Sequence, residues 1–119
     1  MTRAQLRRAC LALPGAEEDF PFGPETAVYR VRGKIFALIL SGPGTPRVNL
    51  KCEPALAEQH RATWPEAVTP GYHMNKRHWN TIACDGRVPA RIVRDMIEDS
   101  WDLVVDGLPR RARAALRAD

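Results

Sequence analysis

The sequence is poor in sulfur. Cys10, Cys52 and Cys84 are its only cysteines, scattered among 119 residues with no Cys-x-x-Cys pair. An odd, dispersed set argues against a disulfide framework and a zinc finger, leaving reduced, mostly buried thiols as the expectation. Long apolar runs are missing too. No stretch reaches the ~20 apolar residues of a membrane span. The apolar part of the opening "MTRAQLRRACLALPG" is too short for a signal peptide. A cytoplasmic protein with no membrane partner is expected. Repeats and low-complexity segments are absent. Charge is only mildly unbalanced, with Lys+Arg 18 against Asp+Glu 14 and a net charge of +4. Such a surface is compatible with nucleic acid without requiring it.

What is present fits one globular domain over residues 1–119, 45% hydrophobic and 27% charged. A chain of this length buries roughly two-thirds of its unfolded surface and needs no metal or disulfide to hold it. A monomer is expected.

Leu6, Ala9, Cys10 and Leu13 recur at helical spacing, with Thr2 as N-cap and Pro14-Gly15 as the stop. "AEEDFPFGPE" reads as an acidic, proline-rich connector pinned to the core by Phe20 and Phe22. In the next segment Ala27, Tyr29 and Val31 alternate with Thr26, Val28 and Arg30, a half-buried strand. Arg32-Gly33 is a tight turn, and the apolar run from Lys34 to Leu40 is a central strand. "SGPGTP" is a second turn, followed by "RVNLKC" with Val48 and Leu50 inward and Arg47, Asn49 and Lys51 outward. Pro54 opens a short helix to about Arg61. An extended segment, a loop at "NKR" and a strand at "HWNTIAC" follow. Ile92, Met96, Ile97, Trp101 and Val104 form the stripe of the last clear helix, with Gly107 as its C′ residue; the basic tail suits a short terminal helix. The order α-β-β-β-α-β-β-α predicts an α+β, two-layer sandwich, an antiparallel sheet with helices on one face.

The predicted open face carries Arg30, Arg32, Arg47, Asn49 and Lys51 and nothing acidic. Such a patch attracts phosphates, although open sheet faces are ordinarily charged in any case. The densest polar stretch is "HMNKRHWN" at residues 73–80. His73 and His78, with His60, lack the spacing of a familiar metal site and have no nearby carboxylate. Cys84 and His78 are six residues apart on one strand, too far for a nucleophile–base pair. The acidic cluster Glu17, Glu18 and Asp19 reads as a solvated turn, and "GPG" at residues 42–44 lacks the lysine of a phosphate loop. No catalytic residue, metal or cofactor is therefore predicted, and the chain is read as no enzyme. Lys76 and Arg77 suit phosphates, Asn75, His78 and Asn80 suit phosphates or base edges, and Trp79 suits a structural anchor.

"PFG" at residues 21–23, "GKIFAL" at 33–38, "PGYHMNKRHWNTI" at 70–82 and "SWDLVVDGLP" at 100–109 together resemble the MmcQ/YjbR family over nearly the whole chain. The resemblance implies helices packed on an antiparallel sheet, similar to type III secretion chaperones and described as a double-wing motif, with a DNA-binding label resting on that fold. It brings no catalytic residue and no cofactor. DNA is thus the leading candidate partner, bound through phosphates by Arg30, Arg32, Arg47, Lys51, Asn75, Lys76, Arg77 and His78. One alternative is a chaperone-like module docking a protein on an apolar patch at Phe36, Leu38 and Leu40. The other is a small-ligand binder at residues 73–80, which needs a concave pocket beside His78.

Overall fold

The structure is a computed structural model describing residues 1–40 and 42–118; Ser41 of the second turn and Asp119 of the basic tail lie outside them. It opens with α1 (Arg3–Leu11), started by a capping box in which Thr2 and Gln5 satisfy each other's backbone N–H. The strands are β1 (Ala16–Asp19), β2 (Ala27–Val31), β3 (Lys34–Ile39), β4 (Arg47–Lys51), β5 (Val68–Pro70) and β6 (Trp79–Ala83). The remaining helices are α2 (Pro54–Thr63), α3 (Ala90–Asp106) and α4 (Arg110–Arg117). The sheet is antiparallel throughout, in the order β1-β2-β3-β4-β6-β5. The α+β sandwich is as predicted, with helices on one face.

β1 was not predicted. Its sequence, Ala-Glu-Glu-Asp, has no β-branched or aromatic residue. Tertiary partners make it a strand: Glu18 takes an ion pair from Arg7 at 2.8 Å and a hydrogen bond from the Tyr29 hydroxyl at 2.8 Å, and Asp19 pairs with Arg30 at 2.6 Å. The acidic cluster is therefore an edge strand rather than a solvated turn. Phe20 and Phe22 beyond it do not pin the chain to the core; they are 45% and 68% exposed.

The main core lies between sheet and helices, where Val93, Met96, Ile97, Trp101 and Val104 of α3 meet Tyr29, Val31, Ile39, Val48, Leu50 and Ile82. Ser100, fully buried on the same stripe, donates to the Phe36 carbonyl and accepts from the Lys51 N–H at 2.9 Å, fastening α3 to β3 and β4. Gly107 ends α3 at φ −81°, so it is not the left-handed C′ residue expected; Pro109 and α4 follow directly.

Two irregularities shape the other face. A register shift opposite Tyr29/Arg30 inserts one residue into β3. It turns Phe36 into the main core and leaves Ile35 with Leu38 and Leu40 on the far side. Phe36 thus leaves the predicted apolar patch. The second irregularity is the connection from β5 to β6, which folds back over the open face. Beneath it Val28, Leu38 and Trp79 form a second small core, with Ile35, Leu40 and Met74 at its margin. Hence β2 is buried on both sides rather than half-buried, and Asn49, predicted to face outward, is buried.

Candidate functional site

The β5–β6 connection is built from its own polar side chains. Asn75 Oδ1 accepts from the Arg77 N–H at 3.0 Å, a local turn of the Asx type. Lys76 Nζ donates to the Gly71 carbonyl at 3.1 Å. Arg61 of α2 reaches across to Asn80 Oδ1 at 2.7 Å and to the Lys76 carbonyl. Trp79, 9% exposed, sits in the second core. Gly71 passes so close to this tryptophan that a Cβ would stand 2.6 Å from Trp79 Cβ. Much of the polarity of residues 73–80 therefore serves the loop's own backbone.

The predicted DNA contacts divide accordingly. Arg30 is paired with Asp19, Lys76 is tied to its own loop, and the Arg47 guanidinium lies 5.9 Å from the Tyr72 ring centroid. Arg47 and Lys51 occupy opposite ends of β4. The continuous basic face therefore breaks up: Arg30 and Lys76 are engaged by the protein itself, and Arg47 and Lys51 are separated by the length of β4. What the fold does bring together is one end of the strands. The β2–β3 turn, the end of β4 and the start of β6 lie toward the same end of the sheet, with the turn extending farthest, through the pairs Val31↔Lys34, Ala37↔Leu50 and Lys51↔Trp79. Arg32 stands on that turn and Arg77 and His78 immediately precede β6. Lys34, which the sequence reading did not single out, joins them. Among the described residues no side-chain ion pair involves Arg32, Lys34, Lys51 or Arg77. Neighbouring strands are about 4.8 Å apart, so from β2 to β6 these cations spread over about 14 Å across the strands.

Among the described residues, two that are not glycine have positive φ: Arg32 at 51° and His73 at 59°. The left-handed region costs an ordinary side chain about 1–2 kcal/mol. Arg32 and Gly33 (φ 80°) together make the two-residue hairpin turn, where Asn-Gly is the relaxed choice. Arg32 marks the rim, and His73 marks the opposite end of the open face.

At that opposite end Phe22, Leu38, Leu40, Arg47, Tyr72 and Met74 line a groove of about 550 Å³. Tyr72 is 53% exposed. Its backbone is fixed from below, its N–H donating to Thr81 Oγ1 at 2.9 Å and its carbonyl accepting from Asn49 Nδ2 at 2.9 Å. The Thr81 hydroxyl donates in turn to Asn49 Oδ1. The predicted pocket is thus beside His73 and not His78. Exposed Phe22 and Tyr72 were the residues missed, and their neighbours in the sequence gave no signal of a groove.

The histidines do not converge. His60 lies on the helix side of the sheet, beside Leu50 and Met96, whereas His73 is on the open face. Among the described residues no three His, Cys, Asp or Glu side chains are placed to hold a metal ion. Burial pushes the thiols up, Cys10 to about 12 and Cys52 and Cys84 to about 11, so none is a ready nucleophile. No helix is long and apolar enough to cross a membrane among the described residues.

Comparison with known proteins follows the fold. The YjbR family model matches residues 11–103. The chain belongs to the YjbR family. The uncharacterized protein YbdF of Escherichia coli O157:H7 is 41% identical over 111 residues, covering 93% of this chain and 90% of that protein. The uncharacterized protein YjbR of Escherichia coli K12 is 33% identical over 116 residues, 98% of each chain. Among solved structures, the Deinococcus radiodurans protein DR2400, a DUF419 domain, superposes with a TM-score of 0.90 at 36% identity, covering 97% of this chain and 87% of that one. A Pseudomonas syringae protein gives 0.71 at 28% identity, covering 87% of this chain and 98% of that one. The two solved structures share the fold, and the family match at residues 11–103 spans the positions of the rim and the groove.

Proposed function

We propose that this YjbR-family protein is a non-enzymatic DNA-binding protein that grips backbone phosphates with the rim of cations at one end of its sheet. The observation that carries the reading is Arg32, held at φ 51° on a hairpin tip where asparagine or glycine would be relaxed. Strain of this kind persists where it serves function. Lys34, Lys51 and Arg77 stand at the neighbouring strand ends, and His78 adds a hydrogen-bonding ring beside them. A projecting hairpin tip reaches a duplex groove or backbone without deformation of the sheet. Arg30 and Lys76, held by protein partners, contribute little, and Arg47 stands at the opposite end of the sheet from the rim.

Four phosphate contacts correspond to a salt slope of about −3.6 and a loss of roughly a hundredfold in affinity between 50 and 200 mM salt. Anisotropy titration of a labelled duplex at low salt tests this. Arg32→Gln with Arg77→Gln flattens the slope by about 2, whereas Arg30→Gln with Lys76→Gln leaves it almost unchanged. Absence of binding at micromolar protein, or equal weakening by the two double variants, refutes the reading.

A further inference from the structure

The rim leaves the other end of the open face without a role, and that end holds the groove. Its floor is Leu38, Leu40 and Met74, continuous with the second core, and its walls are the exposed rings of Phe22 and Tyr72. A volume of about 550 Å³ lies in the range of small-molecule sites. The lining includes no carboxylate; its charged group is Arg47, and Thr26, Asn49 and His73 supply the remaining polarity. Asn49 is already engaged on both sides of its amide, by Tyr72 and Thr81, and builds the wall rather than meeting a ligand. Arg47 is exposed, makes no ion pair among the described residues, and rests 5.9 Å from the Tyr72 ring centroid. A guanidinium placed at the lip of an apolar groove selects an anion, and its planar fork fits a carboxylate. The wall is made at a cost: His73 adopts φ 59°, and its ring centroid lies 4.0 Å from that of Tyr72. The hydrogen bonds with Thr81 and Asn49 fix the Tyr72 backbone beside this strained residue, so the wall is preorganised.

We propose that this groove binds a small amphipathic carboxylate, an aromatic or branched aliphatic body lying between Phe22 and Tyr72 with its carboxylate on Arg47. The charge pattern decides against a cationic or neutral ligand, and the short apolar floor against an extended hydrophobic chain.

The test is an NMR titration of the whole protein with 4-methylphenylacetate, its neutral amide, and the corresponding phenethylamine, read at the methyl signals of Leu38, Leu40 and Met74. The expected result is saturable perturbation of these methyls by the carboxylate, with the amide about tenfold weaker and the amine weaker still. Arg47→Gln abolishes the preference for carboxylate over amide while the methyl shifts persist; Leu40→Glu removes both. Because Arg47 is exposed, its variant folds, and amide spectra confirm it. Equal binding of carboxylate and amide, an unchanged preference in Arg47→Gln, or shifts that never saturate overturns the proposal. So does saturation only by a peptide C-terminal carboxylate presented in the same titration, which identifies a protein partner instead. DNA binding by the rim is measured separately, so either site can fail alone.

Discussion

Asn49 is the residue whose replacement says most about the open face. It is 1% exposed, donates to the Tyr72 carbonyl at 2.9 Å and accepts from the Thr81 hydroxyl. Thr81 itself accepts from the Tyr72 N–H. Asn49→Ala strands the Tyr72 carbonyl and removes the acceptor of the Thr81 hydroxyl. Each unsatisfied buried group costs about 1–3 kcal/mol, and relaxation or water entry offsets part of it, so a loss of about 2–4 kcal/mol is expected. With an unfolding entropy near 2.1 cal/mol/K per residue, that lowers Tm by roughly 8–16 °C. Thr81→Val breaks the same unit from the other side, and the double variant loses less than the sum, with a coupling of about 1 kcal/mol or more. Urea unfolding of the four proteins gives the cycle. Amide exchange gives the location: protection falls at Tyr72 and Met74 before it falls in α3. A loss in Asn49→Ala below ~0.5 kcal/mol, additive singles, or unchanged exchange in residues 71–78 refutes the claim that this pair holds the loop on the sheet.

Two further outcomes follow from local geometry. Hydrogen bonding from Arg7, then from Tyr29, holds the Glu18 carboxyl below its ordinary value of 4.5 against the opposing effect of burial. A depressed carboxyl stabilises the fold fully above the unfolded value and loses that contribution as pH falls through the folded one. Thermal unfolding between pH 3 and 7 therefore shows an acid decline that Glu18→Gln makes shallower; an identical decline in the variant sinks the assignment. Gly71→Ala places a methyl 2.6 Å from Trp79 Cβ and 3.0 Å from its carbonyl oxygen, costing about 1–3 kcal/mol by urea unfolding, and a variant as stable as the parent shows that the loop yields there.

The helices were legible because their stripes repeat at a fixed period, and Leu6, Cys10, Met96, Ile97 and Trp101 are buried as that period requires. The meander β2–β4 was legible for the same kind of reason. β1 was hidden because its residues oppose strand propensity, and only Arg7, Tyr29 and Arg30, from other elements, stabilise it. Phe36 was placed on the wrong face because strict alternation has no means of anticipating a bulge. Asn49 was placed outside because a chain segment more than twenty residues later returns to cover it. The cations were visible as residues, but which of them are engaged is a property of tertiary contact. The groove has no local signature at all: its walls come from Phe22 and Tyr72, fifty residues apart.

The borders of the sheet limit how this protein can meet another. β1 presents Glu17, Glu18 and Asp19 within four residues, and Pro21 follows shortly after. On the far border β5 is three residues long and closes with Pro70, which has no N–H to offer. Charged and ion-paired side chains on one margin and a proline on a stub at the other discourage a foreign strand from extending the ladder. Amyloid-like stacking and recruitment by strand addition are both disfavoured by this framing. Whatever associates with the molecule is steered toward its side chains, not its backbone.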